Sequence, residues 1–145
     1  MPSVQRTITV DQPVERVYAY LSDFTTTSEW DPPTKTTTRT SGDGGVGTTY
    51  HNVSVILGTE QTVDYVVTEH VVNRRFQLEG DAGRSLRVRD TMTFETVGTR
   101  TAVTYHAEFN LQGPAKVIAP LMPPVLKLLA DKVAKSLEEH LTALA

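Results

Sequence analysis

The chain has 145 residues, no cysteine, and a formal charge of −3 from 14 basic and 17 acidic residues. This length suits one domain over residues 1–145. The absence of cysteine excludes disulfides and thiolate metal sites, and the acidic balance argues against a nucleic-acid-binding protein. The N-terminus lacks the apolar core of a secretory signal, and no apolar run reaches the ~20 residues that span a bilayer. We therefore expect a cytoplasmic protein without integral membrane association.

The N-terminal part predicts one strand followed by two short helices. Apolar and polar residues alternate in 4–10, as in a strand. Asp11 or Gln12 is expected at the N-cap of the next helix, with Pro13 in its first turn. A second short helix or a loop then runs from Ser22 to Pro33. The apolar residues at helical spacing in the first helix are Val14, Val17, Tyr18 and Leu21.

Threonine and valine are conspicuous in the middle of the chain, and both favour strands. Short turn-like separators such as Gly58-Thr59 and Val97-Gly98-Thr99 predict hairpins, and therefore an antiparallel meander. The six predicted strands cover Thr34–Thr40, Thr48–Leu57, Glu60–His70, Arg74–Gly80, Arg84–Thr96 and Arg100–Leu111.

The C-terminal part predicts a long helix, because apolar residues recur every three or four positions from Ile118 to Leu141. Pro120, Pro123 and Pro124 should kink this helix, or split it into a short piece and a long one that starts near Pro123. The predicted fold class is therefore α+β. A curved antiparallel seven-stranded sheet wraps around the C-terminal helix, with two short helices between strands 1 and 2. Such an arrangement often leaves a ligand cavity between sheet and helix.

Five motifs in order resemble the START/Bet v 1-like (SRPBCC) superfamily, in its bacterial polyketide cyclase/dehydrase and lipid-transport branch. The opening motif is Val10–Tyr18, in which Pro13, Glu15 and Val17 precede a tyrosine. The remaining matches are Leu21–Phe24 with Glu29–Pro32, Gly45–Thr48, Thr99–Tyr105 and Gly113–Met122. The resemblance covers essentially the whole chain. It implies a helix-grip fold with a hydrophobic tunnel, in a superfamily whose members bind, carry or transform small apolar molecules.

Gly42–Gly47 matches the pattern G-x-G-x-x-G, but the residues that follow read as a strand. A dinucleotide site needs a helix there, so we interpret the segment as a glycine loop between strands. The resemblance places such a loop near the cavity mouth. His106 has the solvent-facing parity of its strand, and the four histidines lack metal-ligand spacing. We predict neither a metal nor another cofactor. The histidines are His51, His70, His106 and His140.

Asp90 is the candidate titratable residue. Its strand parity is otherwise apolar, so its carboxyl should be partly desolvated and its pKa raised. In a functional interpretation, Asp90 orients a ligand or acts as a general base, which makes it the candidate catalytic residue. In a structural interpretation, it sits at a bulge or bonds a neighbouring tyrosine or the backbone. The other residues of this parity are Leu86, Val88, Met92 and Phe94.

The candidate ligand-binding residues are mostly aromatic side chains, each with an apolar body and sometimes a polar handle. Plain core packing is the alternative for each of them. The strand that carries Tyr50 and Asn52 has no clean apolar face, which indicates a polar inward side. The full candidate set is Trp30, Tyr50, Asn52, Tyr65, Phe76, Asp90, Met92, Tyr105, Phe109, Met122 and Leu126.

Three functions remain open. We favour a carrier or sensor of a small hydrophobic molecule, lipid-like or polyketide-like, because the sequence lacks a recognisable catalytic set. The second is an enzyme of the polyketide aromatase/cyclase type that uses Asp90 and cavity tyrosines as acid–base groups. The third is a protein-interaction module with a vestigial cavity, suggested by the proline-rich 120–124. The expected partner is a small hydrophobic ligand, and the chain is expected to be a monomer or homodimer.

Overall fold

The computed structural model describes residues 2–56, 58–83 and 85–144, without the side chains of Ile56, Ile118 and Ala119. Its strands form one antiparallel sheet in the order β1-β7-β6-β5-β4-β3-β2. The strands are β1 (Ser3–Val10), β2 (Thr34–Ser41), β3 (Thr49–Ile56), β4 (Thr59–Val71), β5 (Arg75–Ala82), β6 (Leu86–Val97) and β7 (Arg100–Leu111). The predicted strand ends at Leu57 and Arg84 lie outside the described residues.

Three α-helices complete the fold: α1 (Val14–Leu21), α2 (Thr27–Trp30) and α3 (Met122–Thr142). Short 3₁₀ segments precede α2 and α3, over Phe24–Thr26 and Gly113–Leu121. The prolines act as predicted, because the 3₁₀ geometry stops where α3 begins, one residue before Pro123. The seven-stranded antiparallel sheet with a long C-terminal helix confirms the predicted helix-grip fold.

The start of α1 corrects one prediction. The N-cap residue is Pro13, whose carbonyl accepts from the backbone N–H groups of Arg16 and Val17. Gln12 does not cap this helix, because its side chain is engaged at the other end of the chain. Its Nε2 donates to the carbonyl oxygens of Thr142 at 3.2 Å and Leu144 at 2.7 Å. Gln12 thus holds the end of α3 against the start of α1.

The apolar core lies between the inner face of the sheet and the helices, because alternate residues of each strand point inward. Arg6 shares the inward parity of β1, but its guanidinium reaches Asp131 on α3 at 2.9 Å. This ion pair joins the edge strand to the helix that covers it. The fully buried apolar side chains of the core include Val17, Leu21, Val67, Leu78, Met92, Val103, Leu137 and Leu141.

The glycine-rich segment is a loop between β2 and β3, and β3 follows it where a nucleotide motif would need a helix. The backbone N–H of Gly44 donates to Thr48 Oγ1 at 2.8 Å, and that of Gly47 donates to the Val67 carbonyl at 2.9 Å. Gly42 has φ +92°, and a Cβ there would come within 2.5 Å of Thr48 Oγ1. The loop is therefore held by one hydrogen bond at its own end and by another to β4.

Candidate functional site

Asp90 lies on the inner face of β6 and is only 5% exposed. Desolvation, together with the nearby carboxyl of Asp31, raises the pKa of Asp90 to about 7. The hydroxyl groups of Tyr105 and Tyr65 donate hydrogen bonds to the Asp90 carboxyl and limit this rise in pKa. The strand parity had predicted this apolar setting. The Asp90 carboxyl therefore keeps its proton to a much higher pH than an exposed aspartate does.

Asp31 is a second carboxyl of the site, which the sequence analysis did not single out. It follows α2 directly, and burial raises its pKa to about 6. Thr34 Oγ1 donates to Asp31 Oδ2 at 2.6 Å, which opposes that rise in pKa. The available signal was local: Asp31 follows the only tryptophan, and a threonine stands three residues later in a turn. Its position near Asp90 depends on the tertiary fold, which brings the end of α2 close to β6.

Tyr65 reaches Asp90 from two strands away. It lies on β4, directly opposite Gly80 on β5, and β5 separates it from Asp90 on β6. A Cβ added to Gly80 would come within 2.8 Å of the Tyr65 ring and 2.7 Å of Val63 Cγ1. The ring therefore lies across the position that Gly80 leaves open. Burial and the charge of Asp90 raise the pKa of Tyr65 well above its ordinary value, so its hydroxyl remains a donor.

Tyr105 supplies the second hydroxyl of the site from β7. Its ring contacts Trp30 edge to face, with the ring centroids 6.1 Å apart. Trp30 Nε1 donates to Thr26 Oγ1 at 3.1 Å, which fixes the indole at the end of α2. Burial and Asp90 raise the pKa of Tyr105 well above its ordinary value. Two carboxyl groups and two tyrosine hydroxyls thus converge beside the aromatic ring of Trp30.

A buried network of polar side chains extends the site toward β2 and β3. Asn52 Nδ2 donates to Thr37 Oγ1 at 2.8 Å and to Thr34 Oγ1 at 3.2 Å. Ser54 Oγ donates to Asn52 Oδ1 at 2.7 Å. Since Thr34 in turn donates to Asp31, these hydrogen bonds orient that carboxyl. The inward side of β3 is polar at Asn52 and Ser54, as the irregular sequence pattern had indicated.

The structure brings together only part of the candidate set. Tyr65, Tyr105 and Asp90 meet at the site, with Trp30 against Tyr105. Asn52 is linked to it through Thr34 and Asp31. Tyr50 packs against Phe24, which also contacts Tyr65. Phe76 and Met92 face each other across β5 and β6 in the adjoining core. The other three candidates, near the end of β7 and the start of α3, are Phe109, Met122 and Leu126.

A small pocket lies between β1, Tyr105 and α3. Its walls are mainly apolar, and its volume is about 10 Å³, enough for a single water molecule. On the α3 side it is closed by small and branched side chains, so the helix sits close to the sheet. The residues that line it are Val4, Arg6, Ile8, Tyr105, Ala130, Val133, Ala134 and Leu137.

A larger open groove, of about 470 Å³, runs over the outer face of the sheet. Its lining includes Arg75, Arg89 and His106, which places His106 on the predicted outer side. Arg75 pairs with Glu69, and Arg89 pairs with Glu79 at 2.9 Å. The charges of this groove are therefore neutralised within the protein. In contrast, Asp90 and Asp31 form no ion pair among the described residues.

The described residues contain neither a cluster of metal-ligating side chains nor a helix suited to a bilayer. No group of three or more His, Asp or Glu side chains in 2–56, 58–83 and 85–144 is arranged to hold a metal ion. Among the same residues, no helix is both long enough and apolar enough to cross a membrane.

Comparisons with known proteins place the chain in a family. The family model described as "Polyketide cyclase / dehydrase and lipid transport" matches residues 1–142. A START superfamily protein from Mycobacterium smegmatis superimposes with a TM-score of 0.83 at 17% identity, over 99% of both chains. The Zhui aromatase/cyclase from Streptomyces sp. R1128 superimposes with a TM-score of 0.82 at 13% identity, over 96% of this chain and 92% of that one.

A third solved structure, TTHA0849 from Thermus thermophilus, has a TM-score of 0.77 at 21% identity, over 95% of each chain. At these identities the structural matches show the fold alone. A comparison with curated proteins found no match. The family match, however, spans nearly the whole chain, and it agrees with the seven-stranded sheet gripping α3. The chain therefore belongs to the polyketide cyclase/dehydrase and lipid transport family.

Proposed function

We propose that this chain binds a small hydrophobic molecule, lipid-like or polyketide-like, between the inner face of the sheet and α3. The observation that carries the proposal is the convergence of Asp90, Asp31, Tyr65 and Tyr105 on an otherwise apolar face. A core that only had to be stable would gain nothing from two carboxyl groups without a cation. A binding site, in contrast, needs a few polar groups to orient an apolar ligand.

Binding requires that α3 move away from the sheet. The pocket beside Tyr105 holds about 10 Å³, whereas ligand sites usually have volumes of some 300–1,000 Å³. The two alanines in its wall, Ala130 and Ala134, present little side chain that would have to be displaced. The Arg6–Asp131 ion pair is half exposed and therefore adds little to the closed arrangement.

The polar groups would determine how the ligand is oriented in the site. The Tyr65 and Tyr105 hydroxyls can donate to a ligand carbonyl or hydroxyl oxygen, and a protonated Asp90 can do the same. The ligand's apolar part would then lie along the aromatic wall that Trp30 and Phe24 form. We expect a ligand with one oxygen-bearing end and an apolar body.

Native mass spectrometry with organic extraction tests the proposal. We expect either a bound small molecule on the purified protein or saturable binding of an apolar fluorescent probe. Tyr105→Phe removes one hydroxyl donor and should weaken binding, whereas Tyr20→Phe, whose hydroxyl bonds Glu29 at the surface, should not. A chain that binds no apolar molecule under any condition would overturn the proposal. The same spectra give the oligomeric state, which we expect to be a monomer or homodimer.

An acid–base enzyme of the polyketide cyclase type is the second candidate. It is favoured by Asp31, because a carrier needs one or two polar groups and this site has four. With a pKa of about 7, Asp90 could accept and return a proton at neutral pH. Asp90→Asn should then abolish turnover of a reactive polyketone while the ligand still binds. Turnover that persists in Asp90→Asn would remove this candidate and leave the carrier.

A further inference from the structure

The 3₁₀ segment Gly113–Leu121 and the first half of α3 carry large apolar side chains that face solvent. Val117 is 74% exposed, Leu121 69% and Leu128 59%. The opposite side of α3 is the one that covers the core, through buried Leu126 and Leu137. The 3₁₀ segment and the start of α3 therefore carry apolar side chains that the fold does not bury.

The exposed apolar residues at the start of α3 lie on one side. Pro124 and Leu128 are four positions apart on α3, and Leu121, the N-cap residue, stands three positions before Pro124. Farther along, the same side carries the exposed side chains of Lys132 and Lys135 together with those of Asp131, Glu138 and Glu139. This side is therefore apolar at its start and of mixed charge beyond it.

The charges around the apolar start of this side have one sign. Residues 113–130 contain no aspartate or glutamate, but they include Lys116 and Lys127, in a chain whose total charge is −3. The ion pairs of the described residues leave out Lys116, Lys127 and Lys132. We call the surface made by Val117, Leu121 and Leu128 with Lys116 and Lys127 the outer α3 surface.

We propose that the outer α3 surface docks on an anionic lipid bilayer. The valine and leucines would insert at the level of the headgroups, and the lysines would lie among the lipid phosphates with their apolar stems in the interface. A second copy of the chain fits less well, because two such surfaces would bring like charges together. A protein partner would need acidic groups around a fixed apolar pocket, whereas a bilayer accommodates a convex row.

Docking goes beyond the proposed function, since it requires no bound ligand. It would nevertheless bring α3 to the membrane, and α3 is the element that must move for a ligand to reach Asp90. A hydrophobic ligand dissolves in the bilayer, so a carrier that opens there avoids exposing it to water.

Vesicle flotation of the full chain tests the proposal. We expect the chain to float with phosphatidylcholine vesicles that contain about one third phosphatidylserine, and much less with pure phosphatidylcholine. Added salt should reduce binding, because part of the attraction is screened. Lys116→Glu combined with Lys127→Glu should lower the bound fraction about tenfold or more. Leu121→Asp should have a similar effect by removing the inserted side chain.

Val72→Asp is the matched control. Val72 is 64% exposed, close to the 69% of Leu121, but it lies in the β4–β5 turn at the opposite end of the sheet. The Val72→Asp variant should bind vesicles as well as the unaltered chain does. Thermal unfolding should be unchanged in every variant, which shows that a loss of vesicle binding is not a loss of folding. Binding of the apolar probe without vesicles should also be unchanged, which separates this proposal from the proposed function.

The proposal is overturned if the unaltered chain does not bind anionic vesicles. It is also overturned if the Leu121→Asp and Val72→Asp variants bind these vesicles equally well. It is also overturned if Leu121→Asp instead abolishes self-association or capture of one acidic protein partner while vesicle binding persists.

Discussion

The carboxyl of Asp90 links the site to the stability of the fold. Its pKa is about 7 in the folded chain, against an ordinary value of 3.8. Between these values the folded state keeps a proton that the unfolded state has lost, so the free energy of unfolding falls as pH rises. The loss is complete above a pH of about 7. Asp31, with a pKa of about 6, acts in the same direction over a narrower range.

We therefore expect Asp90→Asn to be more stable than the unaltered chain above a pH of about 7, by an amount on the order of 4 kcal/mol. The two proteins should converge at a pH of about 4, where Asp90 is neutral. Urea unfolding across this pH range measures the difference. Asp11→Asn changes an exposed aspartate and should leave the pH dependence intact. Parallel curves for the unaltered chain and Asp90→Asn would contradict the raised pKa of the buried Asp90 carboxyl.

Gly80 shapes the site although it contributes no chemical group. A methyl group there would meet Val63 and the Tyr65 ring at less than 3 Å. Gly80→Ala should push this ring away from Asp90, lower the stability by about 1–3 kcal/mol and weaken binding of an apolar probe. The matched control is Gly44→Ala, because a Cβ at Gly44 meets nothing within 4 Å. Gly44 has a positive φ, so its variant reports backbone strain without a clash.

At the scale of the element, α3 has two unequal leucine faces. Leu137 is 1% exposed and Leu128 is 59% exposed. Leu137→Ala should cost about 2–5 kcal/mol of unfolding free energy, because it leaves a cavity against the sheet. Leu128→Ala should change stability by less than about 0.5 kcal/mol. Chemical denaturation of both variants makes the comparison, and an equal loss would mean that α3 is oriented differently on the sheet.

Whole elements were predictable because their signals are local. Each strand carries its own alternation and each hairpin its own turn, and the prolines around the start of α3 act on their own backbone. The N-cap of α1 was not predictable, since Gln12 is engaged by carbonyl groups of Thr142 and Leu144 at the other end of the chain. The site was predictable in part for the same reason. The alternation within β6 is local and placed Asp90 on an apolar face. The position of Asp31 beside Asp90 depends on tertiary structure, which no local pattern encodes.

At the scale of the molecule, the sheet is completed by its first and last strands. β1 pairs with β7 from Ser3↔Glu108 to Val10↔Thr101. The two edges of the sheet are therefore β1 and β2. The β2 edge is polar, with exposed Lys35 and Arg39 among threonines, which are side chains that discourage further strand pairing.

The position of β1 has a consequence for aggregation. Without β1, the twelve residues of β7 would become an edge with free backbone donors and acceptors, and its inward side chains include Val103, Tyr105 and Ala107. Such an edge is a template for intermolecular β-pairing. A chain that lacks residues 1–10 should therefore form thioflavin-binding aggregates, whereas Arg6→Ala, which keeps the strand, should remain dispersed. β1 thus covers the β7 edge and prevents the sheet from pairing with strands of other molecules.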